Sequence, residues 1–138
     1  DSASRHLLEA GGKRVRPVLV LLTAQLGNAS RDEVIKAAVV SELTHLATLY
    51  HDDVMDDAPT RRGVPTAQKV YGNSIAILAG DVLLARASQI GVGLGAESLR
   101  LQAETFERLV SGQIRETVGP VDGEDPVAHH LRVLADVA

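Results

Sequence analysis

The sequence predicts an all-α fold, a bundle of helices joined by short connections. Three observations predict it. Apolar residues recur with a helical period over most of the 138 residues. Turn-forming pairs rich in glycine, proline and asparagine interrupt that period. No stretch alternates apolar and polar residues as a half-buried strand would.

The elements follow in order. A helix over 3–10 stops at Gly11-Gly12, and a second over 16–27 stops at Gly27-Asn28. The third, 31–56, opens with Ser30 as N-cap and Glu33 three residues later, a capping-box pattern, and ends before Ala58-Pro59. Helices over 65–71 and 74–91 are closed by Gly72-Asn73 and by Gly93 to Gly95. The sixth, 96–118, ends at Gly119-Pro120. The last, 126–137, starts from Asp125 as N-cap with Pro126 in its first turn. With no repeat, low-complexity segment or long linker, residues 1–138 read as one domain or part of one.

Composition narrows the function. A hydrophobic fraction of 45% fills a core and argues against disorder. The net charge of -4 gives no footing for nucleic acid or an anionic membrane. Aromatics are only Tyr50, Tyr71 and Phe106, so base stacking is disfavoured and any apolar cavity must be walled by aliphatic side chains. The lack of cysteine excludes disulfides and thiolate metal sites and fits a cytoplasmic location. The densest apolar run, Val18–Leu22, is five residues, so no membrane span is expected. Starting at Asp1 without a leader, the sequence reads as a trimmed or partial chain.

The chemistry lies on the third helix. With Asp52 at zero on a wheel of about 100° per residue, Asp56, His45, Ser41 and Thr48 fall within about 40° of it. Val39, Val40, Leu43, Leu46, Tyr50 and Val54 fall opposite and are expected in the core. Residues 51–57, His-Asp-Asp-Val-Met-Asp-Asp, load four carboxylates into six positions. Like charges one turn apart repel, and a helix C-terminus already disfavours them. A divalent cation reverses that sign, and oxygen-only ligands favour Mg2+, Mn2+ or Ca2+ over zinc. Two basic clusters flank the carboxylates: Lys13, Arg14 and Arg16 after a glycine pair, and Arg61-Arg62 before Gly63. Lys13 and Arg16 would share a face if the second helix began there. Such groups suit two phosphate-bearing ligands, one held through metal and one directly.

Gly11–Pro17 (G-G-K-R-x-R-P), His51–Asp56 (H-D-D-x-x-D) and Arg61–Gly63 (R-R-G), in that order, resemble the trans-isoprenyl diphosphate synthases of the polyprenyl synthetase family. The resemblance covers essentially the whole chain, as the N-terminal half of a member. It implies an isoprenoid synthase-type helix bundle and a Mg2+-dependent, head-to-tail 1'-4 condensation. In that reaction an allylic diphosphate ionises, the cation alkylates isopentenyl diphosphate, and a proton is lost. Carried over by position, Asp52, Asp53 and Asp56 match the first aspartate-rich motif, with Asp52 and Asp56 as metal ligands. Arg61 matches the contact to the allylic diphosphate, and Lys13, Arg16, His45 and Arg62 match the isopentenyl diphosphate site. Ala47 and Thr48 occupy the positions tied to product length, and their small size resembles medium- or long-chain synthases. The resemblance also implies a homodimer.

Alternatives stay open: a farnesyl or geranylgeranyl diphosphate synthase, a class I terpene cyclase, or a non-catalytic subunit of a heteromeric synthase. The Lys13–Arg16 cluster argues against the cyclase, and the intact aspartates argue against the silent subunit. Family members carry a second aspartate-rich motif on a later helix, which these residues lack, so no turnover is expected from them alone. Asp81 is expected to be buried beside a cation or a capping group; Gln113 and Glu116 match positions where the family often has polar residues near the cavity and fit a solvated face equally well, and His129 and His130 receive no role.

Overall fold

A computed structural model describes residues 2–137. It contains α1 (Ser2–Glu9), α2 (Val15–Thr23) continued by a 3-10 turn (Ala24–Leu26), α3 (Asp32–Met55), β1 (Thr60–Arg61), β2 (Val64–Pro65), α4 (Ala67–Tyr71), α5 (Asn73–Val92), α6 (Ala96–Val118) and α7 (Pro126–Val137). The all-α expectation holds. The residues form two compact units, one up to Gly95 and one from Ala96 onward.

The first unit is organised by α3 against α5. The buried residues of α5 are Ala76, Ala79, Gly80, Leu83, Ala87 and Gly91, spaced so that mostly small side chains line one stripe. That stripe lets Leu46, Ala47 and Tyr50 of α3 approach closely, and α1 adds Ala3 and Leu7 to the same core. Full burial of Leu7 and Leu46 contributes roughly 1.5–3 kcal/mol each. Gly80 marks the tightest approach, because a Cβ there would run into the ring of His51. Tyr50, wholly buried, fastens α1: its hydroxyl accepts from the Leu7 N–H (3.1 Å) and donates to the Ala3 carbonyl (2.5 Å). Burial pushes its phenol up, which keeps the donor proton in place.

Several expectations are corrected here. The capping box at α3 does not form: Arg31 is the N-cap, and Ser30 turns back to the Asn28 side chain through its N–H (3.2 Å) and Oγ (2.6 Å). An asparagine two residues earlier offers a local turn that outcompetes the cap. Val39 is 40% exposed rather than in the core, at a crevice lined by Ile35, Lys36 and Ile90. Asp81 is exposed, not buried, and pairs with His51 Nε2 at 3.3 Å. A two-stranded ribbon is present, too short at two residues per strand to show alternation. Finally, α5 is long and apolar enough to cross a membrane by length and composition. Its stripe packed on α3 is that of a core helix.

The second unit is the helical pair α6 and α7. Asp125 caps α7 as predicted, accepting from Val127 N–H (3.2 Å) and Ala128 N–H (3.3 Å). A Cβ on Gly112 would lie 2.7 Å from Val137 Cγ1, so glycine permits the close crossing. Asp136 pairs with Arg115 and with Arg108 (3.6 Å), and His129 Nε2 lies 3.1 Å from the Arg115 carbonyl oxygen.

Tyr50→Phe should cost about 1–2 kcal/mol by removing both contacts of the hydroxyl to α1. Urea unfolding monitored by circular dichroism checks this, and an unchanged midpoint would refute the fastening role.

Candidate active site

The acidic ridge is shaped by how α3 ends. Asp56 is the C-cap, Asp57 takes a left-handed conformation (φ 47°), and the next backbone bonds run Asp57 N–H to Val54 (3.3 Å) and Ala58 N–H to Asp53 (3.0 Å). This paired 5→2 and 6→1 closure is the Schellman motif, with aspartate in the place glycine often holds. The helix therefore continues just far enough to keep Asp56 one turn above Asp52.

The four carboxylates then separate. Asp57 leaves the ridge and pairs with Lys69 at 2.7 Å. Asp53 turns inward, its side chain only 2% exposed, and accepts from Arg61 Nε at 2.5 Å. Asp52 and Asp56 remain, and neither has an ion-pair partner among the described residues. No group of three or more potential metal ligands converges among those residues.

Arg61 and Arg62 sit on the β1–β2 hairpin, in register Thr60↔Pro65 and Arg61↔Val64. The two turn residues are Arg62 (φ 55°) and Gly63 (φ 80°), the pair of positive angles that a type I′ turn requires. Gly63 adopts this freely. Arg62 does so at a cost of about 1–3 kcal/mol, offset by its guanidinium bonds to the carbonyls of Leu7 (2.9 Å) and Gly11. One arginine thus reaches α3 and its neighbour reaches the glycine loop.

That loop needs its glycines. Gly12 (φ 135°) has the Arg62 guanidinium so close that a Cβ would lie 2.7 Å from Cζ. Arg14 is the left-handed N-cap of α2 (φ 51°), so Lys13 lies before the helix and does not share a helical face with Arg16. Both Lys13 and Arg16 are exposed and enter no ion pair among the described residues. Arg14 instead turns inward to Glu42 on α3 and donates to the Leu8 carbonyl at 2.7 Å. Three motifs far apart in sequence are thereby physically joined.

The polyprenyl synthetase family model matches residues 1–134. The chain belongs to this family. It is 50% identical over 132 residues to the nonaprenyl diphosphate synthase of Mycobacterium tuberculosis, covering 95% of this chain and 39% of that protein. Among solved structures, the geranylgeranyl pyrophosphate synthase of Corynebacterium glutamicum is 51% identical with a TM-score of 0.79, over 96% of this chain and 38% of its own. The polyprenyl synthase of Caulobacter crescentus, complexed with calcium and isoprenyl diphosphate, superposes with a TM-score of 0.91 at 32% identity, over 99% of this chain and 42% of that one. The chain spans about two-fifths of the length of these family members.

Electrostatics supports the grouping of the family's motif residues. Burial pushes the Asp52 carboxyl up, and the charge of Asp56 adds to the rise. Burial also raises Asp53, against the pull of Arg61. His45 is held below its usual range, first by burial and then by the charge of Arg16, with Arg62 and Arg61 acting the same way. Burial and those cations both disfavour the charged imidazole, with Glu42 opposing them. Thr48, half-buried, spends its hydroxyl on the His45 carbonyl (2.8 Å), whereas Ala47 is fully enclosed in the core. Sequence reasoning missed Glu42, although its place three residues before His45 on α3 was the available signal.

The raised Asp52 has a sign. Its folded-state pKa lies above the unfolded value, so its contribution favours the fold at low pH and is lost as pH rises through the folded value. Metal-free Asp52→Asn should therefore melt higher than the parent at neutral pH, with the gap closing on acidification towards pH 3. Paired melting curves in chelator check this; a gap independent of pH would refute it.

Proposed function

We propose that the protein is a trans-prenyltransferase that condenses an allylic diphosphate with isopentenyl diphosphate, 1'-4, using Mg2+, and makes a polyprenyl diphosphate of medium or long chain. The observation that carries this reading is the pair Asp52 and Asp56, neither of them ion-paired among the described residues, with the charge of Arg61 acting on Asp52. Their oxygen-only chemistry and mutual repulsion fit a hard divalent cation. Bound there, the cation would act as a Lewis acid on the diphosphate leaving group.

The chain's own residues do the rest. Asp53 holds Arg61 through Nε, which leaves the terminal nitrogens of its guanidinium for the allylic diphosphate. Lys13 and Arg16, without ion pairs of their own, bind the second diphosphate as direct counter-charges. His45, whose charged form is disfavoured, orients that ligand by hydrogen bonding. Arg62 keeps the two binding regions at a fixed separation through the carbonyls of Leu7 and Gly11. The 50% identity to a nonaprenyl diphosphate synthase supports a long product. The 51% identity to a geranylgeranyl pyrophosphate synthase favours a shorter one as the second reading.

In the intact protein, Asp52→Ala should abolish condensation of radiolabelled isopentenyl diphosphate, while Lys13→Ala should chiefly raise the KM for that substrate. Normal kinetics in Asp52→Ala would remove the metal assignment. Product length is tested separately. Thr48→Phe should shorten the product seen by mass spectrometry, whereas Ala47→Phe should instead lose about 1–3 kcal/mol of stability by overfilling the core. Unaltered product from Thr48→Phe would place the length determinant elsewhere.

A further inference from the structure

Arg14 is the one cation of the Gly11–Pro17 motif with no assigned task. It differs from its neighbours in direction: Lys13 and Arg16 are exposed, while the Arg14 side chain is 29% exposed and that of Glu42, its partner, 11%. Glu42 stands on α3 three residues before His45, so the pair ties the glycine loop to the helix that carries the acidic ridge. The second arm of the Arg14 guanidinium takes the Leu8 carbonyl (2.7 Å) at the end of α1. Arg62 takes the carbonyls of Leu7 and Gly11. Two guanidinium groups therefore hold one short stretch of backbone, residues 7–11. They repel one another, since Arg14 is the chief charged neighbour that lowers Arg62, and Glu42 is the anion that opposes this effect.

We infer that Arg14 and Glu42 form a positioning pair, which binds no substrate itself but fixes the loop so that Lys13 and Arg16 meet a diphosphate together. Without the Glu42 charge, Arg14 and Arg62 would push apart and Lys13 would lose its fixed place before α2. This inference rests on the reading of the Lys13–Arg16 region as a diphosphate site.

The test uses Glu42→Gln and Arg14→Lys in the intact protein, with two readouts. Calorimetry with inorganic diphosphate in chelator measures the anion site without turnover. Each variant should bind about tenfold more weakly than the parent, the scale of one lost charge-assisted hydrogen bond. The double variant should be no weaker than the worse single one, because the two residues act as a unit. In steady state, the KM for isopentenyl diphosphate should rise similarly, while the turnover number and the allylic KM stay within about twofold. Circular dichroism melting confirms that both variants fold, and Arg14→Lys serves where Glu42→Gln does not. Parent-like diphosphate affinity in a folded variant, additive losses, or no diphosphate binding by the parent would overturn the inference. If the parent binds diphosphate, the variants lose affinity and no condensation occurs, the positioning pair stands and the prenyltransferase reading falls.

Discussion

Everything at the site depends on two adjacent arginines pointing in different directions. A type I′ turn forces Arg62 into a left-handed conformation, and the ribbon that it closes sends Arg61 towards Asp53 and Arg62 towards the carbonyls of Leu7 and Gly11. A two-residue hairpin has no slack. The ridge on α3 and the glycine loop are consequently linked by two guanidinium groups whose starting points are fixed by one tight backbone turn.

Stability and function conflict within α3. Its buried side follows ordinary packing, with Leu46, Ala47 and Tyr50 against the small-residue stripe of α5. Its opposite side carries Asp52 and Asp56 at a helix C-terminus, where both the macrodipole and mutual repulsion disfavour them. The Schellman closure at Asp57 ends the helix immediately after Asp56. Lys69 then neutralises the residue that the turn displaces.

The helices were legible because apolar period and glycine punctuation agree along nearly all of the chain. The Asp52, Asp56, His45 and Thr48 stripe was also legible, since one helix of regular pitch fixes those angles. What was hidden came from contacts between segments. Helical pitch sets Asp53 to one side of Asp52 and Asp56, but its partner is not visible until Arg61 is seen folded back on it. The inward turn of Arg14 depends on a left-handed cap that residue type does not announce. The capping box at Ser30 failed for a local reason, the competing amide of Asn28. Val39 failed because a wheel ranks directions but does not know where the neighbouring helix stops.

The buried Asp53–Arg61 contact gives the middle acid of the motif the function of a length gauge. One Asp53 oxygen is bonded to Nε and the other is enclosed without a partner, so the carboxylate has no room to slide. A glutamate would keep the charge yet carry it one methylene farther, displacing the guanidinium from the ridge. At this position, reach matters as much as sign.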